Sequence, residues 1–214
     1  MNDWIQTLFS DPDMLEMGHG QRSADGNLGA GFVYYGLARA MRPTRALVIG
    51  SWRGFVPLVL GKALLDNAES GEVLFIDPSL VDDFWTDAAR VTEHFCRFGV
   101  TNVRHFPMTT QAFAASEEFA SLKDIGLLFI DGLHTAEQVR YDYEAFLTKL
   151  TSGAVVIFHD SHVVRTSRIY GDDRPYEQRV KDLMDSLRQD PSLDLLDLPV
   201  GNGFTILRRR SKAQ

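Results

Sequence analysis

Two short apolar runs in this chain end in acidic and histidine residues. Residues 127–130 run into Asp131 and, three positions later, His134, while residues 155–158 run directly into His159 and Asp160. Each run is short enough to be a buried strand, and polar groups at the ends of such strands line the crevice of an open α/β sheet. We therefore expect two strand ends to present carboxylate and imidazole groups to one site.

Three interpretations of Asp131, His134, His159 and Asp160 remain open. As structural residues, the aspartates would cap helices and the histidines would bond to backbone groups. As metal ligands, Asp131 and Asp160 offer the hard oxygens that Mg²⁺ or Ca²⁺ prefers, and His159 would add a softer donor. As acid–base groups, His134 or His159 would take a proton from a substrate hydroxyl, since imidazole titrates near neutral pH. Because two strand ends share the pattern, a functional site is favoured, with metal and base roles compatible.

A glycine-bounded turn follows an earlier apolar run. Gly50, Ser51 and Gly54 belong to the sequence Gly-Ser-Trp-Arg-Gly directly after residues 46–49. Glycines let a ligand approach the backbone closely, and the start of the following helix offers free N–H groups. A tight connection that binds nothing fits equally well. Because Trp52 stands where the dinucleotide motif G-x-G-x-x-G requires glycine, a cofactor held by its pyrophosphate is disfavoured.

Asp77 ends the next apolar run, residues 73–76. An acid at this position in nucleotide-binding α/β folds accepts hydrogen bonds from ribose hydroxyls. The alternative is a turn or helix start, because aspartate is common there as well. The buried run before Asp77 favours ribose binding.

The elements that must position these groups alternate along the chain. Apolar runs predict strands at residues 46–49, 73–76, 127–130 and 154–159, and a weaker pattern predicts a strand at 103–106. Apolar stripes predict helices at about 56–65, 88–98, 110–119, 139–150 and 180–187. Two more strands at 193–196 and 204–207 enclose turn residues and predict a closing hairpin. This alternation implies an α/β fold with a doubly wound, mostly parallel sheet, to which the hairpin adds one antiparallel strand.

Composition limits the possible partners. A chain of 214 residues with 44% hydrophobic and 24% charged residues is typical of one globular domain. Its formal net charge of -7 argues against nucleic acid, and no apolar stretch approaches the roughly 20 residues that span a bilayer. Cys96 is the single cysteine, and the first residues lack the pattern of a secretory signal. We therefore expect a cytoplasmic protein without a membrane partner, and a homo-oligomer remains open.

We expect a single domain over residues 1–214. Within it, residues 1–31 would form an N-terminal cap or lid, and residues 32–214 would form the core. Five glycines lie between residues 17 and 31, which would let this stretch fold over the site. The charged loop at 162–176 is a second candidate lid, and a solvated loop explains it equally well.

The order of these motifs resembles the class I S-adenosylmethionine-dependent methyltransferases, most of all the small branch with F-I-D-G-x-H and a strand ending in H-D. The segments that carry the resemblance are V-I-G-S-W-R-G at 48–54, F-I-D at 75–77, F-I-D-G-L-H at 129–134 and V-I-F-H-D at 156–160. The similarity covers roughly residues 24–207. It implies a Rossmann-like, doubly wound sheet of seven strands, mostly parallel with one antiparallel strand. It also implies an O-methyltransferase that acts on a hydroxyl of a small-molecule acceptor.

The resemblance assigns roles to residues of this chain. Its implied cofactor contacts are Gly50, Ser51 and Gly54 with the methionine part of S-adenosylmethionine, Asp77 with the ribose, Thr110 and Gln111 with the adenine, and Asp131 on the methyl side. Metal-dependent relatives hold Mg²⁺ with an acid after the fourth strand and an acidic pair after the fifth, where Asp131, Asp160 and His159 stand here. His134 matches the histidine that acts as base in some sugar O-methyltransferases.

Two residues depart from the family pattern. Val48 stands where the family usually has an acid, and Arg53 adds positive charge to a turn that would face a cationic sulfonium. Both favour the alternative of a non-catalytic ligand-binding or scaffold protein with a degenerate cofactor site. A nicotinamide-dependent oxidoreductase is a second alternative, which the missing third glycine disfavours. The acceptor stays open among sugar, catechol-like and natural-product hydroxyls.

Overall fold

The computed structural model describes residues 1–210, and residues 211–214, the end of the expected core, lie outside the described residues. In chain order its strands are β1 (Arg45–Ile49), β2 (Glu72–Ile76), β3 (Val103–Phe106), β4 (Ile125–Ile130), β5 (Leu150–His159), β6 (Arg165–Ser167), β7 (Tyr176–Gln178), β8 (Leu193–Leu198) and β9 (Phe204–Arg209). Its helices are α1 (Asn2–Phe9), α2 (Gly31–Met41), α3 (Phe55–Asp66), α4 (Ala88–Arg97), α5 (Thr110–Ala114), α6 (Glu117–Ser121), α7 (Ala136–Glu144) and α8 (Val180–Leu187).

The main sheet has seven strands in the order β3-β2-β1-β4-β5-β9-β8. β1 to β5 pair in parallel, whereas β9 pairs antiparallel with both β5 and β8. The predicted Rossmann-like α/β sheet with one antiparallel strand from a closing hairpin is therefore confirmed. The chain order reverses between β1 and β4, which is where ligand crevices open in doubly wound sheets.

The strand register brings the predicted site residues to one edge. Ile49 pairs with Ile76 on one side and with Ile130 on the other, and Ile130 pairs in turn with Phe158. The residues that directly follow these four positions therefore emerge side by side at the carboxyl edge of the sheet. Strands buried on both faces read as continuous apolar runs, which explains why they stood out in the sequence.

Each face of the sheet is covered by its own apolar core. Val48 and Phe129 point into one core together with Phe55 of α3, while Leu47 and Leu128 point into the other. Successive side chains of a strand point to opposite faces, so each strand contributes to both cores. The two cores fix the strands from both sides and give the carboxyl edge a rigid base.

Two predicted helices differ from the structure, one because it is divided and one because it ends early. The helix expected at 110–119 is divided into α5 and α6, because Ser116 caps α6 by accepting a hydrogen bond from the Phe119 N–H at 3.2 Å. The helix expected at 139–150 ends with Glu144. Leu150 already pairs with Ile125 and begins β5, so the chain has to leave the helix before that residue. The stripe continued because turn residues beyond the helix are buried as well.

The segment before the sheet packs against it. Ile5 and Leu8 of α1, Met14 and Leu28 are all buried in the same core as Val48. The boundary expected between cap and core falls at the start of α2, and the division into cap and core stays a prediction. No helix among residues 1–210 has the length and apolar character needed to cross a membrane.

Candidate active site

The glycine turn after β1 is pressed against the end of β4. Gly50 has a φ of 69°, and a Cβ at this position would lie 2.4 Å from the Asp131 carbonyl oxygen. Only glycine fits such an approach. The Ser51 N–H points to Asp77 Oδ2 at 3.4 Å, so the turn, Asp77 and Asp131 are held together.

Asp77 lies mostly buried at the end of β2. Its Oδ1 accepts a hydrogen bond from the Ser79 N–H at 2.8 Å. Burial raises the pKa of Asp77 to about 6, because a carboxylate is costly to ionise away from water. A further hydrogen-bond donor from a ligand would stabilise the ionised form.

One cavity of about 480 Å³ runs along the carboxyl edge of the sheet. It is lined at one end by Gly50, Ser51, Asp77, Thr110 and Gln111 and at the other by Asp131, His134, His159 and Asp160. Nine of the sequence-predicted site residues are thus brought to one space, whose size suits a drug-sized ligand. Gly54 is not among the lining residues.

Gly54 instead starts α3. It has a φ of 85° as the residue that precedes the helix, and its backbone packs against the Trp85 ring, which a Cβ would approach to 2.9 Å. Gly54 therefore affects the site through the conformation of the turn, without lining the cavity.

Thr110 and Gln111 lie at the first turn of α5, and Thr110 is buried. Gln111 Nε2 donates to Gln138 Oε1 at 2.8 Å, and Gln138 Nε2 donates to Asp142 Oδ1 at 2.7 Å. Burial raises the pKa of Asp142 to about 6. This chain of side chains links α5 to α7, and Asp142 was not predicted because it lies on a helical apolar stripe with no motif around it.

Asp131 is the centre of the other end of the cavity. Its Oδ1 lies 2.8 Å from His159 Nδ1 and 3.3 Å from His134 Nε2. Neither pair has hydrogen-bond geometry, so both nitrogens are buried without a hydrogen-bond partner among the described residues. Because buried polar atoms almost always have a partner, these nitrogens are suited to bind a ligand or an ion.

His19, from the glycine-rich segment before α2, completes this cluster. Its Nε2 lies 3.7 Å from Asp131 Oδ2, and its ring centre lies 4.2 Å from that of His159. The ring stacks on Phe55 at 5.0 Å, and His19 Nδ1 lies 3.2 Å from the Tyr34 hydroxyl oxygen. His19 was missed in the sequence, because a lone histidine between glycines carries no motif.

The charges in the cluster are set by burial and by mutual interaction. Burial, together with the nearby His159, lowers the pKa of His19 to about 3, so its imidazole is neutral near pH 7. Burial opposes ionisation of His159 too, but the negative charge of Asp131 outweighs it and raises the pKa of His159 to about 9. Burial likewise opposes ionisation of Asp131, yet the His159 charge holds the pKa of Asp131 far below its usual range.

Asp160 is buried in the left-handed backbone region, with a φ of 53°, and both its oxygens have partners. Oδ2 accepts from Arg165 at 2.8 Å, and Oδ1 accepts from Asn202 at 3.1 Å. His159 Nδ1 lies 3.4 Å from Oδ1. The structure therefore brings the three expected metal ligands together, with Asp160 already engaged by the protein.

The segment expected as a lid or solvated loop contains the small hairpin β6–β7. Arg165 of β6 bonds to Asp160 and to Gln178 of β7, and Gln178 Nε2 lies 3.5 Å from His134 Nδ1. Tyr170, between the two strands, lines the cavity, and burial raises its pKa to about 12. The hairpin therefore forms one wall of the cavity.

The two departures from the family pattern, Val48 in β1 and Arg53 in the turn, are both accommodated by the structure. Val48 is fully buried in the core beneath the site. Arg53 pairs with Asp82 at 2.6 Å, and its guanidinium lies over the rings of Phe84 at 4.5 Å and Trp52 at 4.9 Å. The positive charge of Arg53 is therefore compensated by a neighbouring carboxylate.

Comparison with family models identifies the family of this chain. A family model described as "Methyltransferase domain" matches residues 47–161, which is more than half of the chain. An uncharacterized protein of Sinorhizobium fredii is 26% identical over 132 residues, a stretch that is 59% of this chain and 14% of that protein. The chain thus spans a small part of the length of that relative.

Solved structures share the fold at low identity. An O-methyltransferase from Bacillus cereus in complex with SAH has a TM-score of 0.69 and 15% identity, over 98% of this chain and 92% of that one. The O-methyltransferase TomG from Streptomyces achromogenes, in complex with SAM, has a TM-score of 0.62 and 18% identity, over 98% and 88%. An SAH-bound methyltransferase from Podospora anserina has a TM-score of 0.65 and 19% identity, over 97% and 86%.

Proposed function

The chain belongs to the methyltransferase-domain family, and we propose that it transfers a methyl group from S-adenosylmethionine to a hydroxyl of a small-molecule acceptor. The observation that carries this proposal is the continuous cavity, which joins Asp77 and the Gly50 turn at one end to Asp131 and His134 at the other. Such a cavity suits a reaction in which a donor and an acceptor meet end to end. The O-methyltransferases among the structural neighbours support transfer to oxygen.

In the proposed complex, the β1 turn and Asp77 bind the donor. Asp77 accepts hydrogen bonds from the ribose hydroxyls, as its buried and incompletely paired carboxylate is suited to do. Gly50 and Ser51 let the amino-acid part lie against the backbone, and Thr110 and Gln111 contact the adenine from α5. Gly54 supports the turn.

The protein has to orient the acceptor and remove its proton. S-adenosylmethionine supplies a methyl carbon bound to a positive sulfur; a new C–O bond forms as the C–S bond breaks, and the electron pair of that bond stays on sulfur. The acceptor proton passes to the imidazole of His134, which lies buried beside Asp131. Gln178, on the other side of the ring, fixes its orientation.

The donor atoms around Asp131 fit a divalent cation. Asp131 and His159, with Asp160 beside them, would hold it, since buried nitrogens lack partners there among the described residues. A bound divalent cation would lower the pKa of the acceptor hydroxyl.

Calorimetric titration with S-adenosylmethionine and S-adenosylhomocysteine tests the proposal. We expect one equivalent of each to bind, with dissociation constants below about 1 mM, equivalent to more than about 4 kcal/mol of binding free energy. The matched control is ATP, which shares the adenosine but not the amino-acid part. If neither sulfur compound binds at millimolar concentration, the non-catalytic scaffold replaces this proposal.

A further inference from the structure

Two imidazoles and one carboxylate lie close together where Asp131 and His159 line the cavity. The ligand-capable atoms of His19, Asp131 and His159 all lie within 4.8 Å of one another. Atoms that bind one ion at about 2.1 Å are separated by about 3 Å when adjacent and about 4 Å when opposite. The 2.8 Å and 3.7 Å separations of His159 Nδ1 and His19 Nε2 from the Asp131 oxygens are close to these values.

The close contact between His159 and Asp131 is not a hydrogen bond. At 2.8 Å the two atoms are close enough for one, but the N–H direction does not meet the oxygen, and His159 Nδ1 has no other partner within residues 1–210. His159 is 5% exposed, so bulk water does not solvate this nitrogen. Because the two atoms are close without a hydrogen bond between them, an ion that binds both His159 and Asp131 would account for the contact.

His19 is held in position by its backbone and by its outer ring nitrogen. Its carbonyl accepts from the Ala30 N–H at 2.9 Å, and a Cβ on Gly29, whose φ is 58°, would lie 2.3 Å from that carbonyl oxygen. The Tyr34 hydroxyl lies at Nδ1 and leaves Nε2 directed towards Asp131. Histidines that bind metals commonly use their second nitrogen in this way.

The types of ligand atom at this site favour some divalent ions over others. Mg²⁺ requires six oxygen ligands in near-ideal octahedral geometry, whereas imidazole suits the borderline first-row ions. A second group, His134, His159 and Asp160, also lies within 4.8 Å. Because Arg165 and Asn202 already occupy both Asp160 oxygens, the first group is the better site.

From this geometry we infer that His19, Asp131 and His159 bind a borderline divalent ion of the Co²⁺, Fe²⁺ or Zn²⁺ class in preference to Mg²⁺. The N-terminal segment thus supplies a ligand to a site otherwise built from strand ends. The ion site rests on these side chains alone, and only its part in methyl transfer rests on the proposed function.

The test titrates untagged protein with Co²⁺, Zn²⁺ and Mg²⁺ in the absence of S-adenosylmethionine. We expect one equivalent of Co²⁺ to bind at least about 100-fold more tightly than Mg²⁺, with visible absorption bands that report nitrogen ligation. His19→Phe, which keeps a ring against Phe55, should weaken Co²⁺ binding at least about 10-fold. His162→Gln, outside the cluster, is the matched control and should bind Co²⁺ like the unaltered protein.

A measurement on the unaltered protein covers the case in which His19→Phe does not fold. The chain has six histidines, and with ring-nitrogen labelling Zn²⁺ should shift the signals of His19 and His159. Equal affinity for Mg²⁺ and Co²⁺, full Co²⁺ binding by His19→Phe, or an unshifted His19 signal would each overturn the inference. If the protein binds no ion but binds S-adenosylhomocysteine normally, the ion site alone is overturned. If it binds the ion but not S-adenosylhomocysteine, the methyltransferase proposal alone is overturned.

Discussion

At the residue scale, the site is organised around Asp131. This carboxylate stands where the turn after β1, the end of β4 and the end of β5 meet, and His19, His134 and His159 all approach it. A buried carboxylate in such surroundings stays ionised because the His159 charge lowers its pKa. Its neighbours therefore depend on it for charge balance as well as for geometry.

Asp131→Asn should remove ion binding and turnover while the protein stays folded. The substitution keeps the shape of the side chain but removes its negative charge, so the buried charge of His159 loses its partner. Breaking a buried ion pair in this way costs about 3–5 kcal/mol of stability. Calorimetry with Co²⁺ and thermal unfolding measure the two effects. Global unfolding would instead support a purely structural role for Asp131, and full turnover would remove it from the mechanism.

His134→Gln should lower kcat about 100-fold to 10,000-fold, the usual contribution of a positioned acid–base group. Its affinity for S-adenosylhomocysteine should change less than about 3-fold, since Asp77 and the β1 turn are untouched. Single-turnover methyl transfer at saturating donor separates these effects. His162→Gln is the matched control, and an unchanged kcat in His134→Gln would assign proton removal to another group.

The raised pKa of Asp77 predicts a pH dependence. The ionised carboxylate accepts the ribose hydrogen bonds, so donor affinity should fall as pH falls through about 6. Asp77→Asn should bind S-adenosylhomocysteine about 10-fold to 100-fold more weakly, as expected for lost hydrogen bonds to a charged group. Its affinity should also be independent of pH between 5 and about 7.5, because no carboxylate is left to titrate there. Asp142→Asn, which removes another carboxyl with a pKa raised to about 6, should keep the pH dependence.

Asp77→Asn, which should weaken donor binding, should nevertheless raise the stability of the fold. The folded-state pKa of Asp77 lies above its ordinary value, so the folded state holds more protons between about pH 4 and 6, and the free energy of unfolding falls as pH rises through that window. Asp77→Asn removes this penalty and should be more stable above pH 7 by up to about 3 kcal/mol. Chemical denaturation at pH 5 and 7.5 measures the difference, and a destabilised variant at pH 7.5 would show that the Ser79 hydrogen bond dominates.

At the element scale, the strands and most helices were predicted well, and the helices expected at 110–119 and 139–150 were not. Four of the five parallel strands, β1, β2, β4 and the second half of β5, are buried on both faces, so their sequences are continuous apolar runs that end where the polar site begins. The helix stripes continued past Glu144 because turn residues such as Phe146 are buried without being helical. The β6–β7 hairpin gave no signal, since its short strands are mostly exposed and polar.

Arg165→Ala should detach the β6–β7 hairpin from the site. The Arg165 side chain joins Asp160 to Gln178, and its loss leaves the buried Asp160 with Asn202 as its remaining hydrogen-bond donor. We expect faster proteolysis between residues 168 and 175 and a higher acceptor KM with donor affinity preserved. Arg168→Ala removes an exposed pair with Asp172 and is the control. Equal protection in both variants would show that the hairpin is held by other contacts.

At the scale of the whole molecule, the site depends on segments far apart in the chain. His19 precedes the sheet, Asp131 and His159 end two of its central strands, and Asn202 lies in the closing hairpin turn. Donor binding should therefore stabilise the fold as a unit. At 100 times its dissociation constant, S-adenosylhomocysteine should add about 2.7 kcal/mol, a rise of about 5–10 °C in Tm. If binding increased protection from hydrogen exchange only near the site, this coupling would be contradicted.

The sequence by itself determined the α/β class, the strand ends and the positions of Asp77, Asp131, His134, His159 and Asp160 in the site. These were accessible because buried strands and the polar residues that follow them form a local pattern. Only the tertiary structure decided that His19 joins Asp131, that Asp82 compensates Arg53 and that Arg165 engages Asp160. Each of these contacts joins side chains from different elements. Packing and charge in the folded chain decide which side chains meet, and the spacing of residues along the sequence does not show it.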